Sequence, residues 1–327
     1  MLSSTPRPKL LITIVNYCTS HFVIKCLCSL DDEIPKNGDI FVEVVDNHSQ
    51  DNSEETLRKA IKDHHWESWV NLRISPQNKG FAEGNNFAII PHLHSATPPD
   101  YVLLLNPDTE VRPGAIKNLI TFMDAHPQVG IAGSRIENMD GTAQYSAFRF
   151  PTATSEFLGG ASFGLFNRLL SRWTVIQPIQ SQPHSSDWVS GACMMIRREV
   201  FDTIGFMDDH YFLYYEETDF CLRAKRAGWE CWYVPHSIVV HHVGQSSQVT
   251  GEHNSNRRLP HYWFFSRRYF FRTNYGIVYA LWTDMIWLIG ATFGIFKRLL
   301  RRKKGNNRPH LLRDFIYYTF FPRGLKQ

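Results

Sequence analysis

The sequence predicts an α/β fold in which a mostly parallel central sheet is flanked by helices. Short apolar, β-branched runs alternate with segments of helical length as far as Ala132. The first run, Leu10–Val15, has the composition of a strand that is buried on both faces. Strands that alternate with helices favour parallel pairing through right-handed crossovers, so both observations indicate a sheet of this kind.

The elements follow one another in regular order over this part of the chain. Strands are expected at residues 10–15, 40–45, 69–74, 101–105 and 129–132. Helices are expected at 19–31, 51–62, 81–90 and 113–125. Asp51 or Ser49 would cap the second helix, and Pro113 occupies a favoured first-turn position in the fourth.

The second half of the chain has a different pattern. From 137 to 186 the periodicity is lost among glycine, proline and serine residues, which predicts a long irregular segment. Such segments in compact domains are often binding loops, and we expect this one to contact a ligand. Order returns with strands at 188–196, 230–234 and 238–243, and with a helix that begins near Glu216.

Composition places the chain among globular proteins. Of 327 residues, 43% are hydrophobic and 20% are charged, which excludes an intrinsically disordered chain. The net charge of +4 gives no indication of a nucleic-acid partner. The six cysteines form no C-x-x-C pair, and the polar N-terminus contains no apolar signal-peptide core. We therefore expect a cytoplasmic protein.

The region from 251 to 327 is expected to form a helical extension after a catalytic domain that spans residues 1–250. Its aromatic residues alternate with arginines, and the mostly apolar run Ile277–Phe296 contains Asp284 and is followed by a basic cluster. The run is long enough to cross a bilayer, but a carboxylate near its middle is costly there. We favour helices that lie on an anionic surface at the inner face of the cell membrane. The alternatives are a true span and an aromatic face packed on the catalytic domain.

Carboxylates are the first indication of chemistry. Glu216, Glu217 and Asp219 lie within four residues at the predicted start of a helix, and Asp108 follows the apolar run that ends before Asn106. Acidic side chains this close together repel each other, so their clustering indicates a functional role. Acidic residues also stabilise a helix N-terminus, which is the structural alternative. Together they indicate an enzyme that acts on a charged substrate, such as a diphosphate, with a metal ion and a carboxylate base.

Polar clusters follow three of the predicted strands, at residues 46–49, 78–86 and 106–109. Because ligands of open parallel sheets bind beyond the carboxyl ends of the strands, these clusters are candidate binding segments. The backbone at Gly80 and Gly84 would allow close approach of a ligand, and Asp46 is able to accept a hydrogen bond from a nucleobase. Each cluster taken singly also suits an ordinary turn.

Two phosphate-binding motifs are absent from the sequence. The first strand is followed by Asn16-Tyr17-Cys18-Thr19-Ser20 in place of G-x-G-x-x-G, and no Walker A motif occurs. Both absences argue against a dinucleotide-dependent dehydrogenase and against a P-loop enzyme.

Seven short motifs occur in a fixed order over about residues 10–246. They are Thr13–Tyr17, Val44–Asp51, Asn78–Asn86, Leu105–Asp108, Gly191–Arg198, Glu216–Asp219 and His241–Ser246. Each is modest alone, but the ordered set is specific. With these motifs the chain resembles a family 2 glycosyltransferase of the GT-A fold, and most closely its bacterial rhamnosyltransferase-like branch.

The resemblance implies a metal site and a base. Asp108 stands at the last position of the family's D-x-D motif, and His241 matches a histidine that helps to hold the metal ion and the diphosphate; His242 is the alternative. Glu217 stands where the family usually has an aspartate base, so the carboxylate is retained on a side chain longer by one methylene. Glu216 and Asp219 are further candidates, which would share this role with Glu217.

The resemblance also implies a donor site, in which Asp46 would bind the nucleobase. Its other expected members are Thr13, Val15, Asn78, Gly80, Gly84, Asn85 and Asn106. Asn106 replaces the first aspartate of the D-x-D motif, and we therefore do not expect it to contact the metal ion directly.

We therefore expect a metal-dependent, inverting glycosyltransferase that uses Mg²⁺ or Mn²⁺. The resemblance implies a dTDP- or UDP-sugar donor, with dTDP-rhamnose as the first candidate, and an acceptor that is a cell-surface glycan or its lipid-linked precursor. One alternative is a nucleotidyltransferase, although the Gly-rich basic loop of that class is absent after the first strand. The other is a non-catalytic glycan- or membrane-binding protein on the same fold.

Overall fold

The computed structural model describes residues 9–34, 39–161, 170–242, 258–301 and 308–321, which fall into two compact units. The first, here called the sheet unit, takes the described residues up to 147 together with 178–212 and 216–242. The second, here called the helical unit, takes 148–161, 170–177, 213–215 and the described residues from 258 onward. The sequence predicts one boundary near residue 250, whereas 148–161 and 170–177 group with the C-terminal helices.

Four parallel strands form the first half of the central sheet. They are β1 Leu10–Asn16, β2 Ile40–Asp46, β3 Val70–Ile74 and β4 Tyr101–Leu105, in the order β3-β2-β1-β4. The helices between them are α1 Ser20–Asp31, α2 Ser53–Asp63 and α3 Phe81–Leu93. This alternation confirms the predicted α/β architecture. Buried side chains such as Ile12, Ile14 and Leu103, all 0% exposed, form the core under these strands.

The second half of the sheet is mixed. Its strands are β5 Thr109–Val111, β6 Val129–Glu137, β8 His184–Ser186, β10 Cys193–Arg197 and β11 Glu230–His241. The order continues from β4 as β10-β6-β11-β5, and β8 pairs with β11 off this path. Strand β10 runs antiparallel to both β4 and β6, while β6 and β11 are parallel. The chain reaches β10 by a long excursion after β6 and not by a single crossover helix, and this route permits the reversed direction.

Several elements differ from those expected. The segment 137–186 contains β7 Ala147–Phe148 and helix α5 Ala153–Ala161. The region 188–196 divides into β9 Trp188–Val189 and β10, and the two strands predicted at 230–243 are one strand whose pairing is irregular between Val234 and Ile238. Pro235 lies at this irregularity and has no N–H for the ladder. Strand β5 was not predicted, because its three residues are too few to show the alternation of apolar and polar side chains that marks a strand.

The remaining helices of the sheet unit are α4 Ala115–Ala125, α6 Arg198–Ile204 and α7 Glu216–Arg226. Helix α4 begins two residues later than Pro113, after Gly114 with φ of 80°. Helix α7 begins at the predicted acidic residue, and its last turn contains Arg223, Lys225 and Arg226. Acidic residues at the start and basic residues at the end both stabilise a helix through its dipole.

The described part of the helical unit contains α5, α8 His261–Tyr275, α9 Ile277–Arg301 and α10 Leu311–Phe320. Helices α5 and α9 approach closely through glycines. A Cβ atom at Gly290 would lie 2.4 Å from the Phe157 carbonyl oxygen, and one at Gly160 would lie 2.7 Å from that of Trp287. Small residues spaced by four positions, as in Gly290 and Gly294, are typical of helices packed backbone to backbone. Among the described residues, Ile277–Lys297 is the one stretch that has the length and apolar character to cross a membrane.

A buried ion cluster lies in the core of the helical unit. The Arg267 side chain, 1% exposed, donates to Glu156 over 2.6 Å and to Asp284 over 2.5 Å. Its guanidinium group also lies over the rings of Phe271 and Phe315. The carboxylate of Asp284, in the first third of α9, is therefore neutralised within the unit.

Replacing Arg267 with Met should lower the free energy of unfolding by about 3–5 kcal/mol, because two buried carboxylates would lose their cation. The triple variant Arg267→Met/Glu156→Gln/Asp284→Asn should recover part of this loss. Arg272→Met, at an exposed position of the same helix, is the matched control and should change stability by less than about 0.5 kcal/mol. Urea unfolding followed by circular dichroism measures all three, and equal losses for Arg267 and Arg272 would contradict the prediction.

Candidate active site at the carboxyl edge of the sheet

Asp46 is fixed where β1 and β2 end side by side. Asn16 Nδ2 donates to Asp46 Oδ1 over 2.7 Å, and the Ser49 backbone N–H donates to Asp46 Oδ2 over 3.1 Å. The Asn16 side-chain oxygen in turn accepts bonds from the backbone N–H and the hydroxyl of Thr19 at the start of α1. The orientation of the predicted nucleobase carboxylate is thus set by two hydrogen bonds before any ligand binds.

A second polar cluster follows β3. Asn47 Nδ2 donates to Asn78 Oδ1 over 3.1 Å and to the Gly80 carbonyl over 2.9 Å, and the Gly80 N–H donates to Asn78 Oδ1. Gly80 has φ of 94°, and a Cβ atom there would lie 1.8 Å from the Phe212 carbonyl oxygen. The same oxygen accepts the N–H of Phe81. Only glycine permits this approach, which holds the start of α3 against the segment that precedes α7.

The remaining predicted donor residues pack α3 onto β1. Thr13 Oγ1 donates to Asn85 Oδ1 over 2.6 Å, and both side chains are fully buried. A Cβ atom at Gly84 would lie 2.8 Å from Val15 Cγ1, so the helix and the strand are in direct contact. These four residues position the edge of the sheet, and their contact with a donor stays a prediction.

Asp108 and His241 lie together although 133 residues separate them in sequence (241 − 108). Strands β5 and β11 are antiparallel, with His241 opposite Thr109, which places the histidine next to Asp108. His241 Nε2 lies 3.2 Å from Asp108 Oδ1 and 3.4 Å from Asn106 Nδ2. The Asp108 side chain is 0% and that of His241 15% exposed. The structure therefore brings both predicted metal ligands and Asn106 to one place.

The two adjacent histidines have different partners. His242 Nε2 lies 2.8 Å from Glu110 Oε1, while His241 contacts Asp108. Neighbouring side chains of a strand point to opposite faces, which explains the separation. Of the two imidazole rings, that of His241 therefore lies beside the predicted metal carboxylate, whereas His242 reaches Asp108 through its backbone N–H, which donates to the Asp108 carbonyl over 2.9 Å. The motif residues 243–246 lie outside the described residues.

The pair Asp108 and His241 fits a hard divalent cation. Carboxylate oxygen and imidazole nitrogen are suitable ligands for Mg²⁺ or Mn²⁺. Two ligand atoms that occupy adjacent octahedral positions around Mg²⁺ lie about 3.0 Å apart, because each is about 2.1 Å from the ion. The separation of 3.2 Å between Asp108 Oδ1 and His241 Nε2 is close to that value.

The three acids of α7 have three different surroundings. Asp219 Oδ2 accepts a bond from Arg223 Nε over 2.7 Å, and Arg223 also donates to the carbonyls of Ile204 and Phe206. Asp219 thus ties α7 to the end of α6. Glu216 is 2% exposed, and its Oε2 has no hydrogen-bond partner within the described part of the chain. Glu217 is only partly buried.

Glu217 is held close to the segment that precedes β10. Its carboxylate accepts a hydrogen bond from the backbone N–H of Gly191, and a Cβ atom at Gly191 would lie 3.4 Å from Glu217 Oε1. The next residue, Ala192, accepts the N–H of Asn106 through its carbonyl over 3.0 Å. The neighbouring residues Gly191 and Ala192 thus connect the predicted base, Glu217, with the segment that carries Asp108.

Burial shifts the proton equilibria of both glutamates. Desolvation raises the pKa of Glu216 well above the ordinary value, and the nearby charge of Glu217 raises it further. Desolvation also raises the pKa of Glu217, against the opposing effect of backbone N–H groups, including that of Gly191. The arrangement favours one proton on the pair, with Glu216 as the group that retains it.

The sequence predicts no separate role in the site for Asn16, Ser49 or Phe212, each of which orients a predicted site residue. The position of Asn16 at a strand end and that of Ser49 in the polar cluster 46–49 are available signals, whereas nothing in the sequence singles out Phe212. The structure also groups Asp208, Asp209 and His210, whose ligand atoms lie within 4.8 Å of one another. Two of these three side chains are exposed, and such acidic groups are common without an ion.

Comparisons with known proteins identify the family of the chain. The family model described as "Glycosyl transferase family 2" matches residues 10–205. Over 153 residues the chain is 31% identical to the "N-acetylglucosaminyl-diphospho-decaprenol L-rhamnosyltransferase" of Mycobacterium tuberculosis (strain ATCC 25618 / H37Rv), covering 45% of this chain and 48% of that protein. It is 26% identical over 201 residues to "Rhamnosyltransferase WbbL" of Escherichia coli (strain K12), covering 59% and 71%. The chain thus spans about half the length of the mycobacterial relative.

Among solved structures, the fold is similar to that of the mannosyltransferase PcManGT from Pyrobaculum calidifontis in complex with GDP-Man and Mn²⁺. The TM-score is 0.57 at 14% sequence identity, and the match covers 92% of this chain and 77% of that one. At this identity the likeness concerns the fold alone, and it confirms the GT-A-type fold predicted from the sequence motifs.

Replacing Gly80 with Ala should lower the free energy of unfolding by more than about 3 kcal/mol, because the new Cβ would collide with the Phe212 backbone and the positive φ would be strained. Gly141→Ala is the matched control: Gly141 has φ of 80°, and a Cβ atom there would meet nothing within 4 Å. The control should lose about 1 kcal/mol from the backbone alone. Similar losses in urea unfolding would show that the Phe212 contact is unimportant.

Glu216→Gln should make the protein relatively more stable as the pH rises. A carboxyl group whose pKa is raised on folding contributes stability below its unfolded pKa, and this contribution is lost as pH rises through the folded pKa. Glutamine does not titrate and escapes that loss. The melting temperature of the variant minus that of the wild type should therefore increase from pH 5 to pH 9. Glu54→Gln, at an exposed position, should give a difference that does not vary with pH, and a flat difference for Glu216→Gln would refute the raised pKa.

Proposed function

Because the chain belongs to glycosyl transferase family 2, we propose that it transfers a sugar from a nucleotide-diphosphate donor to a cell-surface glycan or to a lipid-linked precursor of one. The observation that carries the proposal is the convergence of Asp108, His241 and Glu217 around the segment 106–108 and 191–192. Residues far apart in sequence lie on neighbouring segments there, and they supply a carboxylate–imidazole pair suited to a metal ion and a carboxylate of raised pKa, which are the two components that glycosyl transfer needs.

The donor would bind along the carboxyl edge of the sheet. The oriented carboxylate of Asp46 is suited to accept an N–H of a uracil or thymine base, and the segment Asn78–Gly80 offers backbone that lies close to it. The names of the mycobacterial and E. coli relatives specify rhamnosyl transfer. They favour dTDP-rhamnose as the donor, with other dTDP- and UDP-sugars as alternatives.

Asp108 and His241 would hold Mg²⁺ or Mn²⁺, and the ion would neutralise the charge that develops on the leaving diphosphate. Asn106 would orient the site without binding the ion. Its side-chain amide lies beside His241 Nε2, and its backbone N–H is bound by Ala192.

Glu217 would remove the proton from the acceptor hydroxyl. A base with a raised pKa is well matched to this task near neutral pH, and general-base catalysis typically contributes roughly 10²- to 10⁴-fold in rate. Glu216, buried beside it, would remain protonated and thereby avoid a second negative charge. Asp219 would position the helix through Arg223. A single base that acts on the acceptor opposite the leaving diphosphate implies direct displacement with inversion at the anomeric carbon.

The acceptor would be located at the membrane. The mycobacterial relative is named for an acceptor that is a diphosphate-linked polyprenol. Acceptors of this kind are anchored in lipid, and a peripheral enzyme at the cytoplasmic face of the membrane would reach them. The segment 137–186 is the candidate for acceptor choice.

Glu217→Gln should reduce transfer at least about 100-fold while donor binding is retained, because the amide is similar in shape but cannot accept the proton. Asp108→Asn should reduce transfer and also weaken the stabilisation that a nucleotide sugar with Mn²⁺ gives in thermal unfolding. Glu199→Gln, on the neighbouring helix α6, is the control and should leave both unchanged. Transfer of labelled sugar from dTDP-rhamnose and UDP-sugars to membrane lipid extract measures activity.

The same assay separates the competing assignments. Donor-dependent stabilisation without transfer in any variant or in the wild type would indicate a non-catalytic glycan-binding protein. Release of pyrophosphate from a nucleoside triphosphate and a sugar phosphate would indicate a nucleotidyltransferase. Wild-type rates in both Glu217→Gln and Asp108→Asn would overturn the proposed roles.

A further inference from the structure

An unbroken apolar face runs along α9. Its exposed side chains include Val278, Trp282, Met285, Ile289, Phe293 and Phe296, each between 45% and 79% exposed. They are separated by three or four positions and therefore lie on one side of the helix over a length of about 27 Å. Among the exposed residues from 277 to 296 none carries a charge, and the one hydroxyl, that of Thr292, donates to the Leu288 carbonyl.

The opposite face of α9 belongs to the core of the helical unit. Trp287 stacks on Phe315 with ring centroids 3.9 Å apart, and Gly290 contacts the backbone of α5. Asp284, 1% exposed, is bound by Arg267, which also binds Glu156. The carboxylate that interrupts the apolar sequence is thus turned away from the exposed face, and its charge is balanced within the unit.

We propose that α9 lies parallel to the plane of an anionic membrane surface and does not cross the bilayer, and that its apolar face is inserted into the lipid. A monotopic helix of this type combines an apolar face with adjacent basic residues. The basic residues follow directly in the sequence as Lys297, Arg298, Arg301, Arg302, Lys303 and Lys304. Near an anionic surface each basic residue strengthens binding about fivefold, and together they select negatively charged lipid.

The buried ion cluster argues for this orientation over a span. If α9 crossed the bilayer, the helices packed on it would carry Arg267, Glu156 and Asp284 into the hydrocarbon region, where ionised groups are costly. In the parallel orientation only the uncharged face enters the lipid. The inference deepens the proposed function, since it specifies the surface by which the enzyme would reach a lipid-linked acceptor.

Flotation of the purified full chain with lipid vesicles, without any donor or acceptor, tests the proposal. The wild type should bind vesicles of equal parts phosphatidylglycerol and phosphatidylcholine, bind pure phosphatidylcholine less, and lose binding as NaCl is raised. Ile289→Asp and Val278→Asp should each weaken binding about tenfold or more. Ile176→Asp is the matched control, since Ile176 is 46% exposed against 52% for Ile289, lies in the same unit and is outside the apolar face. Melting temperatures identify variants that fail to fold.

The orientation is measured by Ile289→Trp. Position 289 lies in the middle of the apolar run, so that a spanning helix would place the new indole near the bilayer centre. In the parallel orientation, lipids brominated near the headgroup should quench the added fluorescence more strongly than lipids brominated near the chain ends. Stronger quenching by the deep bromine would overturn the parallel orientation.

The remaining outcomes are equally decisive. Equal loss of vesicle binding in Ile176→Asp would show that the apolar face is not the lipid surface. If the wild type is a dimer by light scattering, Ile289→Asp makes it monomeric and neither binds vesicles, the face is an interface between copies of the chain and the proposal is wrong. Because no substrate is present, these results are independent of whether the chain transfers a sugar.

Discussion

The antiparallel insertion of β10 between β4 and β6 is the constraint on which the candidate site depends. Since β10 runs opposite to β4, its first residue lies beside the last residue of that strand, with Cys193 opposite Leu105. The segment that enters β10 therefore lies at the same edge as the segment that leaves β4. Ala192 binds Asn106, and Gly191 binds Glu217, so the metal-ligand segment and the acidic helix are held by two successive peptide groups. A parallel β10 would have entered the sheet at the opposite edge.

Desolvation then gives three neighbouring acids different chemistry. Asp219 is as buried as Glu216, but an arginine neutralises it and turns it into a structural tie. Within the described residues no cation pairs with Glu216, whose carboxyl group is therefore disposed to hold a proton. Glu217 faces the more open side and accepts backbone N–H groups, which limits the rise of its pKa. The differences arise from the partners each side chain meets and not from the residue type.

In the helical unit, the charges of the buried ion cluster are also controlled by their partners, but here each of them is paired. Arg267 is surrounded by two carboxylates and two aromatic rings, so that the guanidinium and both carboxylates are paired inside the unit. With Asp284 neutralised, α9 can present an uncharged outer face over most of its length. Glycines at 160, 290 and 294 bring α5 and α9 together through backbone contacts and need no bulky side chains between them.

The sequence by itself determined the family, the rhamnosyltransferase-like branch and the order of the first strands and helices, because apolar periodicity and ordered local motifs are properties of neighbouring residues. It also placed Asp108 and His241 in one site, but only through resemblance. Tertiary structure alone decided that β10 is antiparallel, that 148–161 and 170–177 group with the C-terminal helices, and that the imidazole of His241, not that of His242, lies beside the Asp108 carboxylate. These features depend on pairing between segments more than fifty residues apart, and on the burial of each charge, neither of which leaves a local pattern in the chain.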